Sequence, residues 1–370
     1  MVDLQSQYAR IKPEVDAAIQ EVIDTTQFIN GPAVRRFTDH LATYLDVPHV
    51  IPCANGTDAL QIALMALDLQ PGDEVITTPF TFVATAEVIA LLKLKPVFVD
   101  VHPGTFNLDE SLIEQAITPR TRVIIPVHLF GQGTDMGAIL DIAERHHFAV
   151  VEDNAQAIGA EYRDRHGRSR KYGAIGHIGC TSFFPSKNLG CYGDGGALFT
   201  HDPQLADRIS MIVNHGMKVR YYHDEIGVNS RLDSIQAAVL DIKLGHLDSY
   251  NAARQEAAAR YNRLLAGVPG IRIPERAGHS THVFHQYTLR LEARRDEAAR
   301  ALQAAGIPHG IYYPVPLHLQ KAYRSYGYRE GDFPVSEMLA QQVLSLPMHT
   351  ELDAALQDYI VQPLRQDWRR

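Results

Sequence analysis

Cysteine is scarce in this chain: three occur in 370 residues, Cys53, Cys180 and Cys191, and no C-x-x-C pair is among them. That argues against a disulfide framework and against structural zinc, and points to a reducing, cytoplasmic compartment. No apolar run approaches the roughly 18 residues that a membrane span requires. The charged residues Asp3, Arg10, Lys12, Glu14 and Asp16 leave no room there for the apolar core of a signal peptide. Dense Lys/Arg blocks are missing as well. The one basic cluster, with Arg365, Arg369 and Arg370, sits in the last few residues and reads as a frayed tail. With a formal net charge of -8 and a pI of about 6.1, nothing suggests a nucleic-acid partner. Neither G-x-G-x-x-G nor G-x-x-x-x-G-K-[ST] is present, so neither a dinucleotide fold nor a P-loop is supported. Internal repeats and low-complexity stretches are also absent.

What is present is the composition of a globular protein, 45% hydrophobic and 21% charged, and long enough for two domains. Strand-like and helix-like patterns alternate through residues 55–200. Leu60, Leu64 and Leu67 share one face of a helix predicted over 59–69. Residues 74–78, 96–100, 122–127 and 148–152 read as strands, and 82–92 and 136–146 as helices. This alternation predicts an α/β fold with a mostly parallel sheet covered on both faces. Ligands gather beyond the carboxyl ends of such strands, so residues 78–82, His128 and Asp153 should meet on one rim. Leu232, Ile235, Val239 and Ile242 mark a further helix, with Ser230 and Asp233 as its capping box. A composition shift near residue 245 divides a large domain, 1–245, from a smaller C-terminal α+β domain, 246–370. In the latter, 251–266 and 295–305 read as helices and 283–291 as a strand. Residues 1–20 read as a lone amphipathic helix packed on the main body.

Several segments could carry chemistry. Lys187 follows an apolar strand-like run and precedes a glycine cluster. A lysine in a crowded, partly dry site loses its proton and serves as an amine nucleophile; the plainer reading is a loop lysine facing water. Cys53-Ala54-Asn55-Gly56-Thr57-Asp58 runs straight into the helix at 59. Free backbone N–H groups and the positive dipole end there would suit a phosphate, and an ordinary cap by Asn55 or Thr57 is the alternative. Asp153 stands at a strand's C-terminal rim with Gln156 three residues on. It could hold a protonated ring nitrogen by a charge-assisted hydrogen bond, or cap a helix. Ser182, five residues before Lys187, could offer a hydroxyl to the same ligand. Gly227-Val228-Asn229-Ser230-Arg231 brings an amide and a guanidinium to a helix start. Arg231 could clamp a carboxylate or phosphate, or face solvent. A phosphate cradle, a carboxylate for a ring nitrogen and a lysine for an aldehyde make up the ligand set of pyridoxal 5′-phosphate.

The chain resembles the sugar aminotransferases of the DegT/DnrJ/EryC1/StrS family, within the aspartate-aminotransferase (fold type I) superfamily, over nearly its whole length. The resemblance is carried by Asn55-Gly56-Thr57-Asp58-Ala59-Leu60, Pro71-Gly72-Asp73-Glu74-Val75-Ile76 and Glu152-Asp153-Asn154-Ala155-Gln156-Ala157. It continues in Ser182-Phe183-Phe184-Pro185-Ser186-Lys187-Asn188-Leu189-Gly190, Gly193-Asp194-Gly195-Gly196, Gly227-Val228-Asn229-Ser230-Arg231-Leu232-Asp233 and Tyr313-Pro314-Val315-Pro316-Leu317-His318. It implies a three-layer fold type I large domain and pyridoxal 5′-phosphate cycling through pyridoxamine 5′-phosphate, with no metal. Lys187 would bond the cofactor aldehyde and then shuttle a proton. Asp153 would keep the pyridine nitrogen protonated, with Gln156 near the phenolic oxygen. Gly56, Thr57, Asp58 and Ser182 would hold the phosphate, and Phe82 would stack on the ring. Asn229 would reach the phosphate of a neighbouring subunit, which implies a homodimer with shared active sites. Arg231, Tyr312, Tyr313 and His318 would line the pocket for the sugar or amino donor.

The implied reaction moves an amino group from L-glutamate to a 3-keto nucleotide sugar, best matched by a UDP-2-acetamido-2-deoxy-3-keto-hexuronate. A dTDP-3-keto-6-deoxyhexose is the alternative substrate. A non-catalytic regulator on the same fold is the alternative of another class, and the intact Lys187–Asp153 pair argues against it. Lysine at 187 also separates the chain from the family's dehydratases, which carry histidine there. Two positions depart from the pattern. Asn55 replaces a frequent serine, which backbone contacts to phosphate should tolerate. Tyr312 stands where relatives acting on glucuronate-type sugars carry histidine, which weakens the case for a C6 carboxylate.

Overall fold

A seven-stranded sheet forms the centre of the computed structural model, which describes residues 1–366. The strands of the first part of the chain are β1 (His49–Cys53), β2 (Glu74–Thr77), β3 (Lys95–Phe98), β4 (Thr121–Ile124) and β5 (Ala149–Asp153). A hairpin outside the sheet follows, β6 (Glu161–Arg163) with β7 (Ser169–Lys171), and then β8 (Ile178–Ser182) and β9 (Gly196–Thr200) complete the sheet. The spatial order is β1-β9-β8-β5-β4-β2-β3. β9 runs antiparallel to both neighbours, and the other pairs are parallel. Sheets of this kind bury both faces, and β2 and β9 are buried at every residue.

Successive side chains alternate between the two faces. Two helices, α1 (Leu4–Thr25) and α2 (Pro32–Leu45), precede β1; Val75, Val123 and Val151 pack under α3 (Gly56–Met65), α4 (Ala84–Leu91) and, further along the chain, the helix Pro203–Ile212. Their neighbours Ile76, Ile124 and Val150 meet Ile139 and Ile142 on the opposite face. Those two belong to the helix Met136–His146, whose bounds coincide with the sequence expectation. Phe37 and Leu41, from the helix Pro32–Leu45, join Leu240 over Phe183 and Phe199 on the same side. The N-terminal helix Leu4–Thr25 lays Ile11 and Val15 against Val239.

A second cluster, with Tyr261, Tyr287, Leu289, Leu302, Leu344 and Ile360, lies among the later elements. It is built on a three-stranded antiparallel sheet of Ile271–Arg272, Tyr287–Leu291 and Val343–Leu346. The buried guanidinium of Arg254, on the helix Leu247–Leu265, donates to the carbonyls of Phe284, His285 and Met348 and ties that helix to this sheet.

Two expectations are corrected. The strand expected over 283–291 begins only at Tyr287, because Phe284 takes a left-handed φ of 47° and bends the chain before it. Ser230 and Asp233 form no capping box. Asp233 occupies the cap position of the helix Ser234–Leu244 without a side-chain bond, and the Ser230 hydroxyl is spent on Asp58. The three cysteines are buried and free. Among the described residues no helix is long and apolar enough to cross a membrane. Arg369 and Arg370 of the basic tail, and the last four residues of the 246–370 segment, lie outside the described residues.

Candidate active site

The carboxyl ends of β1, β8 and β5 open on one rim. Cys53, Gly196 and Ser182 stand level across β1, β9 and β8, and Asp153 pairs with Cys180 two residues below Ser182. The chain leaves β1 through Asn55, whose side chain caps α3 by accepting from the Asp58 N–H at 2.8 Å. That leaves the Gly56 and Thr57 N–H groups without partners among the described residues, at the positive end of the helix. Asp58, expected to lend its own N–H to the same anion, has already committed it to Asn55. Glycine at 56 is required by crowding: a Cβ there would lie 2.6 Å from Ser182 Cβ. The cradle therefore brings together two free N–H groups and the Ser182 hydroxyl from segments more than a hundred residues apart.

Asp153 is 6% exposed, and both its oxygens are engaged. Thr85 donates its hydroxyl to Oδ2 at 2.8 Å, and the Ala155 N–H reaches Oδ1 at 3.2 Å. The preceding Glu152 is fully buried and accepts from the N–H groups of Gly173, Ile175 and Gly176 at 2.6–2.8 Å. It also pairs with His128 Nε2 at 2.9 Å. His128 Nδ1 accepts the Thr134 N–H at 3.4 Å, so the ring proton sits on Nε2, toward the carboxylate. His128 thus meets the rim as a buried brace, with no exposed surface.

Lys187 follows the turn that leaves β8. It is half-buried, and its amine makes no hydrogen bond or ion pair among the described residues. Desolvation lowers its pKa from 10.5 to about 8, against the opposing pull of the Asp153 carboxylate. The loop that carries it is fastened at several points. Asn188 donates to Asn251 Oδ1 at 2.8 Å and to the Val283 carbonyl at 2.9 Å. Lys243, 1% exposed, donates to the Gly190 carbonyl at 2.6 Å and sits 5.0 Å from the centre of the Tyr192 ring. Burial brings the Lys243 amine down to about 8 as well. Close by, His285 is held well below its usual pKa by burial, then by the charges of Lys187 and Arg254, and remains neutral.

The remaining expected residues divide. Phe82 is 55% exposed, and its ring centre lies 6.3 Å from that of Tyr313. Gln156 accepts from the Phe130 N–H at 2.8 Å and donates to the Tyr313 hydroxyl at 3.2 Å. Tyr313 therefore joins Phe82 and Gln156 over the rim, with the half-buried Tyr312 beside it. Asn229 is exposed, and Arg231 is half-buried with no ion pair among the described residues. His318 has no exposed side-chain surface; its Nε2 bonds Glu337 at 2.9 Å, and its buried Nδ1 has no partner among the described residues. Thr85, Ser230, Lys243 and His285 were not singled out from sequence as site residues. Each reads locally as an ordinary polar residue of a helix or loop, and only the folded chain brings them to the site.

The donor set fits pyridoxal 5′-phosphate. An anion seat, an oriented carboxylate and an unpartnered amine of low pKa share one rim, with an exposed aromatic ring nearby. Residues 9–365 match the DegT/DnrJ/EryC1/StrS aminotransferase family. A Pseudomonas aeruginosa UDP-2-acetamido-2-deoxy-3-oxo-D-glucuronate aminotransferase is 49% identical, over 96% of both chains. A Geobacillus stearothermophilus pleiotropic regulatory protein is 47% identical, over 100% of this chain and 98% of its own. A Streptomyces venezuelae dTDP-3-amino-3,4,6-trideoxy-alpha-D-glucose transaminase is 45% identical, over 95% of this chain and 91% of its own. The crystal structure of S. venezuelae DesV in complex with a ketimine intermediate superposes with a TM-score of 0.96 at 44% identity, covering 100% of this chain and 98% of that one.

Proposed function

The chain belongs to the DegT/DnrJ/EryC1/StrS aminotransferase family, and from that premise we propose that it moves an amino group from L-glutamate to a 3-keto nucleotide sugar. The observation that carries this reading is the Lys187 amine: half-buried, lowered to about 8, unpartnered, and within the field of Asp153. Pyridoxal 5′-phosphate, alternating with its pyridoxamine form, supplies an electron sink that lets an amine's carbon give up a proton. Lys187 would hold it through its amine. Asp153 would serve the ring nitrogen, Gln156 the phenolic oxygen, and Phe82 a ring face. Gly56, Thr57 and Ser182 would take the phosphate. A neutral Lys187 amine would be the base that moves the substrate's proton. Its low pKa keeps part of it neutral and ready near neutral pH. Phe82 and Tyr313 screen the reacting atoms from water.

The 49% identical P. aeruginosa relative supports a UDP-2-acetamido-2-deoxy-3-keto-hexuronate as the acceptor. The 45% identical S. venezuelae relative favours a dTDP-3-keto-6-deoxyhexose as the second choice. Arg231 and Tyr312 are the residues we assign to the sugar nucleotide or the donor. The name of the G. stearothermophilus relative favours a regulator, but a regulator has no need of an unpartnered, deprotonatable lysine. We further propose a homodimer with shared sites. Asn229 is exposed, and Tyr221, Tyr222 and Ile226 near it are 74%, 69% and 87% exposed, an apolar surface suited to a second copy. Free, buried cysteines support a reducing, cytoplasmic setting.

The test is spectroscopic. Purified protein should absorb near ~420 nm, and glutamate should move the band to ~330 nm. Candidate 3-keto and 4-keto nucleotide sugars are then added to the pyridoxamine form. Return of the first band with a UDP-3-keto-hexuronate is the expected result. Return with a 4-keto sugar alone would refute the regiochemistry, and a colourless protein that takes up no cofactor would refute the enzyme.

A further inference from the structure

Ser230 has no exposed surface, yet it stands between exposed Asn229 and half-buried Arg231. Its hydroxyl turns toward the start of α3. It accepts the Ala54 N–H at 3.0 Å and donates to Asp58 Oδ2 at 2.6 Å. Among the described residues it is the one hydrogen-bond partner of the Asp58 carboxylate. Among the described residues no lysine or arginine pairs with that carboxylate.

Asp58 lies in the first turn of α3. A carboxylate there is favourable in an empty helix, because it meets the positive end of the dipole. A phosphate dianion on the free N–H groups of Gly56 and Thr57 reverses the balance. The same carboxylate then becomes a like charge at close quarters, in surroundings of low dielectric. Left to rotate, it would compete with the ligand for the N–H groups.

We propose that Ser230 is a positioning residue that fixes the Asp58 carboxylate on the Ala54 side and so keeps the α3 anion seat open to phosphate. The inference rests on reading the α3 N-terminus as the cofactor's phosphate seat. It adds a residue 172 positions away from Asp58 in sequence, on the segment that carries Asn229.

The experiment measures equilibrium binding of pyridoxamine 5′-phosphate and of pyridoxamine to the cofactor-free full chain. Neither ligand has an aldehyde, so neither bonds Lys187, and the two differ only in the phosphate. S230A should weaken pyridoxamine 5′-phosphate about tenfold, the scale of one lost hydrogen bond to a charged group. Pyridoxamine affinity should not change, and S230T should keep wild-type binding. In the D58N background, the S230A loss should shrink to less than about twofold, because the charge it controls is gone. Should S230A not fold, S230C, of similar shape with a weak donor, takes its place. An undiminished loss in D58N, an equal loss for both ligands, or no loss at all would each overturn the proposal. Wild-type protein that binds the two ligands equally would instead refute the phosphate seat itself, and the proposal with it.

Discussion

The Thr85 hydroxyl donates to Oδ2 of Asp153 at 2.8 Å, across 68 residues of sequence and between two buried side chains. With the Ala155 N–H on Oδ1, it fixes the plane of the carboxylate. Thr85→Val keeps the shape and removes the donor. A hydrogen bond to a charged group contributes about 1.5–3 kcal/mol, so kcat should fall about tenfold or more. Thr85→Ser should restore it. A valine variant with wild-type kcat would show that Asp153 needs no such support.

Lys187 sets the second expectation. With a pKa of about 8, roughly one amine in ten is neutral at pH 7, against about one in three thousand for an unshifted lysine. Capture of pyridoxal 5′-phosphate by the cofactor-free protein should therefore accelerate with rising pH and level off above about pH 8. Stopped-flow absorbance at several pH values measures it. A plateau appearing only near 10.5 would mean the site is wet. The sign for stability is the same. Between about 8 and 10.5 the unfolded chain holds the proton and the folded one does not, so the cofactor-free fold gains stability as pH rises through that window. Lys187→Ala should abolish the glutamate response of the spectrum.

Gly56→Ala tests the cradle. The new Cβ meets Ser182 Cβ at 2.6 Å, and neither group can swing away. The start of α3 must shift from Ser182, so affinity for pyridoxal 5′-phosphate should drop at least about tenfold, and the overpacking should cost the fold about 1–3 kcal/mol. Fluorescence titration of the cofactor-free protein measures it, and unchanged affinity would place the phosphate elsewhere.

The brace behind Asp153 is a stability element. His128→Phe takes one partner from a fully buried carboxylate that still accepts three N–H groups. Loss of one member of a buried pair costs about 3 kcal/mol, and the urea midpoint should fall accordingly. Glu152→Gln should cost a similar amount. The double variant should lose less than the sum, because the two share one interaction. Full additivity would show that the pair is incidental.

The central sheet was legible because apolar alternation and turn residues are local signals. The helix Met136–His146 has both, a capping Asp135 before it and a left-handed His147 after it, and its bounds match the sequence pattern. Lys187, Asp153 and Asn55 stand out through their motifs, and Asn55 caps α3 as its position suggests. Strand order was not legible, because nothing local tells β9 to insert antiparallel between β1 and β8. The Ser230 capping box fails for a related reason. A serine three residues before an aspartate at a helix start has the right spacing, but Asp58 competed for the hydroxyl from a distant helix. Thr85 looks like any buried helical threonine until Asp153 is set beside it. His318 sits in a recognisable motif, but only the fold sets its Nε2 on Glu337.

Lys243 leaves a practical consequence for chemical labelling. Its amine and that of Lys187 share a pKa of about 8, so a mild acylating reagent near that pH finds two lysines of equal basicity. Access separates them. Lys243 is 1% exposed and occupied by the Gly190 carbonyl, whereas Lys187 is half-open and unpartnered. A reagent chosen for basicity alone would thus tag Lys187 first, and would report its shielding whenever a ligand settles over it.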